Sequence, residues 1–273
     1  MSDKVIFPAF NGQRYYHTHY RFVEELAKAV GKSVTKKPGM DVDGRSFYIV
    51  YKDMEILIDY GDHKAVSLRQ KEFPVSFRFH YSQDCHGDMT NCFPLTPISF
   101  YDWKNYFRLE KMIIYRASGT RIMANQIPGK AAKFRRSYIQ ARLKDRYRGR
   151  VDTSITDQET FWLKLKTSLL AMCVPGARND ILDRGQFQLM AFGGCTVSPP
   201  LDIMLPYWKK PEPNIHYLAC AEDYSDLYKV IDWAYENREN LVKIGQNAKK
   251  LFLETSTPEK VWAWIDQCLE GLK

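Results

Sequence analysis

The stretch that most constrains the fold is residues 169–200, LLAMCVPGARNDILDRGQFQLMAFGGCTVSPP. The apolar LLAMCV run reads as a buried strand, Pro175-Gly176 as a loop, and the segment carrying Arg184 and Gln188 as a short helix. Gly193-Gly194 then stops that helix before a second buried run, CTV, which ends in prolines. Strand, helix and strand in so short a space form the repeating unit of an α/β protein. A strand that feeds a loop and then a helix N-terminus leaves backbone N–H groups without partners, and such an end favours anions. An arginine close to it, Arg178 or Arg184, adds a bidentate grip on phosphate oxygens.

The rest of the chain repeats this alternation. Residues 4–10 read as a first strand, and 20–30 as a helix through Phe22, Val23, Leu26, Ala27 and Val30. Asp41-Val42-Asp43-Gly44 reads as a solvated turn, because Asp-Gly favours tight turns. Residues 46–51 and 54–60 are two strands separated by Lys52-Asp53, and the second runs into Asp59-Tyr60-Gly61-Asp62-His63. Ligands of open α/β sheets bind outside the carboxyl ends of strands, so this acid pair is placed for chemistry if its strand is parallel and central. A strand at 75–81 leads into a loop that gathers His80, Asp84, Cys85, His86, Asp88 and Cys92; their spacing matches no zinc-ligand frame.

Residues 93–107, rich in proline and aromatics, read as the passage between two domains, 1–109 and 110–273. The second half restarts with KMIIY, 111–115, as a new first strand ending at Arg116. Helices follow at 130–143, with the pair Arg135-Arg136, and at 158–166; beyond the 169–200 stretch come a strand at 215–220 and helices at 224–237, 238–255 and 258–272.

Length and composition narrow the function classes. A chain of 273 residues, 45% hydrophobic and 26% charged, suits a globular protein of one large or two smaller domains. No 18-residue apolar run suggests a membrane span, and the N-terminus enters a strand-like run without a leader pattern, so a cytoplasmic protein is expected. The charge of +8, 40 Lys+Arg against 32 Asp+Glu, is densest over 130–150. It suits either a nucleic-acid partner or a bound diphosphate. Six cysteines without a C-x-x-C pair point to reduced thiols.

Arg184, Gln188 one helical turn later, and the small-residue run AFGGCTV over 191–197 together resemble the donor-binding half of GT-B glycosyltransferases of the exostosin and CAP10-like kind. The IIYRAS segment with Arg116 and the basic pair Arg135-Arg136 add to that resemblance, which covers residues 111–272. Gln188 departs from it, since the family places a glutamate there. A glutamine can still hydrogen-bond a hydroxyl, without charge. In size the chain is also loosely similar to short glycosyltransferases of large algal viruses that build capsid glycans.

The resemblance implies an α/β protein of GT-B architecture, with two Rossmann-like domains facing across a cleft. It implies a nucleotide-sugar donor, expected to be a UDP-sugar such as UDP-xylose, a glycan acceptor, and no metal, other cofactor or nucleic acid. Arg184, Arg135, Arg116, Gln188, Pro175 and Gly176 would hold the donor. An inverting transfer also needs a base on the N-terminal side, for which Asp62 leads, with Asp59, His80 and His86 behind it. Two other readings give different tests. A basic α/β module gripping nucleic acid through 130–150 would need no cleft acid, and a GT-A enzyme using Asp41 and Asp43 would require a divalent metal.

Overall fold

The fold is taken from a computed structural model. It describes residues 4–9, 16–40, 45–61, 66–127, 132–176 and 180–272. Asp62, Arg178, Asp41 and Asp43 lie outside these residues.

The chain opens with β1 (Lys4–Pro8), α1 (Tyr16–Ala29) and β2 (Ser33–Lys37). It continues through β3 (Ser46–Tyr51), β4 (Met54–Asp59), α2 (Leu68–Glu72), β5 (Val75–Arg78), α3 (Gln83–His86) and β6 (Cys92–Pro94). These strands form one sheet in the order β2-β1-β3-β4-β5-β6. The sheet is mixed: β3 runs antiparallel to both β1 and β4, and the other pairs are parallel. The cause is local. Lys52 and Asp53 both take positive φ, 52° and 62°, the conformation of a two-residue hairpin turn, so β3 must fold straight back on β4. The strand that ends at Asp59 is therefore central, but parallel to only one of its neighbours.

Next come α4 (Trp103–Met112), β7 (Arg121–Met123), α5 (Lys133–Arg146), β8 (Val151–Asp152), α6 (Gln158–Leu163) and β9 (Ser168–Met172). They are followed by α7 (Arg184–Ala191), β10 (Thr196–Ser198), β11 (Leu218–Ala219), α8 (Leu227–Glu236) and α9 (Arg238–Thr255). The five strands form a second sheet, β11-β10-β9-β7-β8, in which every pair is parallel. The last helix, α10 (Pro258–Glu270), packs on α1 of the first group.

Contacts divide the chain into two units. One comprises Met1–Trp103, Ile203–Lys210 and Glu254–Lys273, and the other Lys104–Asp202 and Pro211–Leu253. The division at 109–110 expected from the sequence falls inside α4, and the chain crosses between units more than once. In the first unit Tyr51 donates to Asp266 on α10 at 3.0 Å and meets Trp262 edge-on.

The KMIIY segment is not a strand. Lys111 and Met112 end α4, residues 113–120 are irregular, and the first strand of the second sheet is β7. A short apolar run cannot by itself tell strand from helix. Here Tyr106, Leu109 and Ile113, all buried, continue the three-to-four spacing of α4 through it. By contrast the 169–200 stretch folds as read, as β9, a loop, α7 and β10.

Candidate functional site

In order of appearance the strands of the second sheet lie second, first, third, fourth, fifth. The direction of winding reverses between β7 and β9, and in doubly wound sheets the crevice at the carboxyl ends of such a pair is where ligands bind. A cavity of about 450 Å³ lies there. It is walled by Asn125, Gln126 and Ile127 after β7, Ile155 and Thr156 after β8, Gln158 and Phe161 of α6, Arg136 of α5, and Asp183, Arg184, Gly185 and Gln188 at the start of α7.

Asp183 caps α7: its carboxylate accepts the Gly185 N–H at 2.9 Å, which is why the helix begins at Arg184. The same carboxylate accepts from Gln126 Nε2 at 3.0 Å and pairs with Arg136 at 3.0 Å. Arg136 also donates to the Val174 carbonyl at 2.9 Å and the Ile127 carbonyl at 2.8 Å. One mostly buried guanidinium thus ties together the loops after β7 and β9 and the α7 cap. Gln126 Oε1 accepts the Val174 N–H, and Gln140 donates to the carbonyls of Ala124 and Gln126 at 2.7 and 3.1 Å. The floor of the pocket is therefore set before any ligand arrives.

The loop after β8 is held by Asp152. Its carboxylate accepts from the Ser154 hydroxyl at 2.6 Å, Asn125 at 3.0 Å and Lys164 at 2.9 Å. Burial opposes its charge, but these hydrogen bonds outweigh it and bring the carboxyl down to about 2. Beneath the pocket, burial first and then the nearby Asp183 push the Cys173 thiol well above its usual range, so it stays protonated.

Arg184 occupies the first turn of α7 and lines the cavity. Gln188, one turn on, is buried, and its side-chain oxygen accepts from Trp162 Nε1 and Gln158 Nε2, both at 3.3 Å. Of the basic pair on α5 it is Arg136 that lines the cavity; Arg135 turns toward Tyr224. Arg116 is exposed in the irregular segment after α4, outside the lining. Pro175 is buried and Gly176 partly exposed in the loop after β9, also outside the lining, and a Cβ on Gly176 would meet no atom within 4 Å.

In the first unit Asp59 is buried. Its oxygens accept from Gly61 N–H at 2.8 Å, Arg78 at 2.7 Å and Ser67 Oγ at 3.5 Å, and Arg78 itself is fully buried. A carboxylate held this way is a structural anchor and poorly placed to meet a hydroxyl from solvent. His80 is half-buried at the end of that ion pair, its carbonyl accepting from Arg78 Nε at 3.4 Å. His86 is buried with its Nδ1 within 3.0 Å of the Ser82 carbonyl. Among the described residues no His, Cys, Asp and Glu gather in the manner of a metal site, and no helix is long and apolar enough to cross a membrane.

Sequence reading missed Asn125, Gln126 and Asp183. Asp183 did carry a signal, since an aspartate just before an apolar-periodic run is a helix N-cap pattern. Asn125 and Gln126 follow a three-residue strand that left no periodicity to mark its end. No protein-family model matches the chain, and no curated protein matches it.

Proposed function

We propose that the protein is a nucleotide-sugar-dependent glycosyltransferase of GT-B architecture, with its donor site at the β7–β9 crevice. The observation that carries this reading is the position of Arg184 and Gln188, one turn apart on α7, on the wall of a cavity at the winding reversal of a parallel sheet. Asp183 and Arg136 neutralise each other, so Arg184 supplies the net positive charge among the charged residues of that wall. In the proposed reaction Arg184 grips the diphosphate of a UDP-sugar, and the amides of Asn125 and Gln188 meet its hydroxyls. The bond between the anomeric carbon and the phosphate oxygen breaks, its electron pair leaving on UDP, as the acceptor hydroxyl oxygen bonds to that carbon. A base takes the hydroxyl proton. With Asp59 committed to Arg78, Asp62 is the candidate base in this proposal. Electrostatic stabilisation of the leaving diphosphate is the main catalytic contribution.

A thermal-shift panel of UDP-, GDP- and CMP-sugars tests this reading. A donor at about 100 times its Kd stabilises the fold by about 2.7 kcal/mol. One nucleotide class should raise Tm, and the protein should hydrolyse it slowly without acceptor. A panel with no shift would count against the proposal.

The α5 face favours a second reading. Phe134 and Tyr138 are 88% and 60% exposed, and Arg142 stacks over Tyr138 at 5.5 Å from its ring centre. Aromatic rings beside arginines suit single-stranded nucleic acid. Salt-sensitive retention on DNA, with no nucleotide-sugar response, would favour a binding module.

A further inference from the structure

A second groove shares no lining residue with the first. It encloses about 620 Å³ beside β11, the edge strand of the parallel sheet, between faces of α8 and α9. Lys229, Val230 and Trp233 line it from α8, and Lys243, Ile244 and Asn247 from α9. On each helix these positions follow i, i+1, i+4, the spacing of one helical face. Val230 and Trp233 of α8 and the buried Ile244 of α9 are the apolar positions of these faces, and Leu218 floors the groove.

The lining is specific in its chemistry. Trp233 is 39% exposed and Ile215 43%, so a flat apolar surface faces the groove. Lys229 and Lys243, both exposed, have no ion-pair partner among the described residues. The one acid of the lining, Asp226, already accepts the Ala221 N–H at 2.7 Å. Two cations against one engaged carboxylate favour an anion. An inorganic anion would leave the exposed Trp233 and Ile215 surfaces wet, and a neutral apolar ligand would not use the lysines.

We infer that this groove binds an organic anion built on a flat ring, of the nucleoside monophosphate class. The ring lies on Trp233 over the aliphatic floor, Lys229 and Lys243 take the phosphate, and the Asn240 and Asn247 amides meet the ring's polar edge. The inference is independent of the glycosyltransferase reading and places a nucleotide-type site in the same unit as the first pocket.

The test is calorimetric titration of AMP, adenosine and inorganic phosphate into the Arg184→Ala protein, a background that disables the first pocket. AMP should bind saturably at one site, adenosine at least about tenfold more weakly, and phosphate without saturation. Trp233→Ala and the double substitution Lys229→Glu with Lys243→Glu should each weaken AMP at least about tenfold. Both lysines are exposed, so the double variant decides the matter even if Trp233→Ala fails to fold. Equal affinities for AMP and adenosine, no AMP binding, or unchanged AMP affinity in the double variant would overturn the inference.

Discussion

Asp183 does two jobs, capping α7 and neutralising Arg136, and the two can be separated by substitution. Asp183→Asn keeps an N-cap acceptor but leaves Arg136 without its counter-charge, whereas Asp183→Ala removes both. A lost cap costs about 1 kcal/mol, and an unpaired, largely buried charge costs more. Asp183→Ala should therefore lower stability by about 2–3 kcal/mol, and Asp183→Asn by less, as read by urea unfolding. Arg184→Ala should leave Tm nearly unchanged while removing donor turnover, and Arg184→Lys should rescue poorly because an ammonium cannot bind two oxygens in parallel. Asp152 gives a pH signature. Its folded value, about 2, lies below its ordinary value of 3.8, so its contribution is present above about pH 4 and is lost as pH falls toward 2. Asp152→Asn should flatten that part of the acid-unfolding curve, and an unchanged curve would show that the Asn125–Ser154–Lys164 cluster does not hold the loop.

At the scale of elements, the crossing of α7's end with α9 is set by two glycines. Gly193 takes φ of 78°, and a Cβ on Gly245 would lie 2.0 Å from the Gly193 carbonyl oxygen. Gly245→Ala must push α9 away from the sheet, and we expect a loss of about 1–3 kcal/mol or more in chemical denaturation. Gly176→Ala, with nothing within 4 Å, should change stability by no more than about 0.5 kcal/mol. The sequence announced the β9–α7–β10 unit because its apolar runs are long and its stops are glycines and prolines. It did not announce β7 or β8, which span three and two residues and are defined by pairing with neighbours distant in sequence, whereas β11 falls inside the strand read at 215–220. It also hid Arg136 behind Arg135. Adjacent basic residues look alike until the helix phase is known, and only one of the two points to the crevice. The sequence shows two strands around Lys52-Asp53 but not that they pair antiparallel, since neither residue is the asparagine or glycine that usually marks positive φ.

For the whole molecule, all six cysteines are free thiols and only Cys85 is exposed. Burial raises the thiols of Cys92 to about 11 and Cys220 to about 12. Native protein should therefore show one fast-reacting thiol at pH 8, rising to six on unfolding; two or more fast thiols would contradict the packing described. If the protein transfers sugar with arginine and helix charge alone, activity should survive EDTA, while loss on chelation restored by Mn²⁺ would point to the metal-dependent alternative. Asp62→Asn should cut turnover by about 10²–10⁴-fold without weakening donor binding, and normal turnover in that variant would remove Asp62 as the base. The most direct measurement is calorimetric titration of the UDP-sugar into wild-type and Arg184→Ala protein, with Trp233→Ala alongside to separate the second groove. The account predicts one saturable donor site in wild type that weakens at least about tenfold in Arg184→Ala and persists in Trp233→Ala. Equal affinity in wild type and Arg184→Ala, or no donor binding at all, would contradict it.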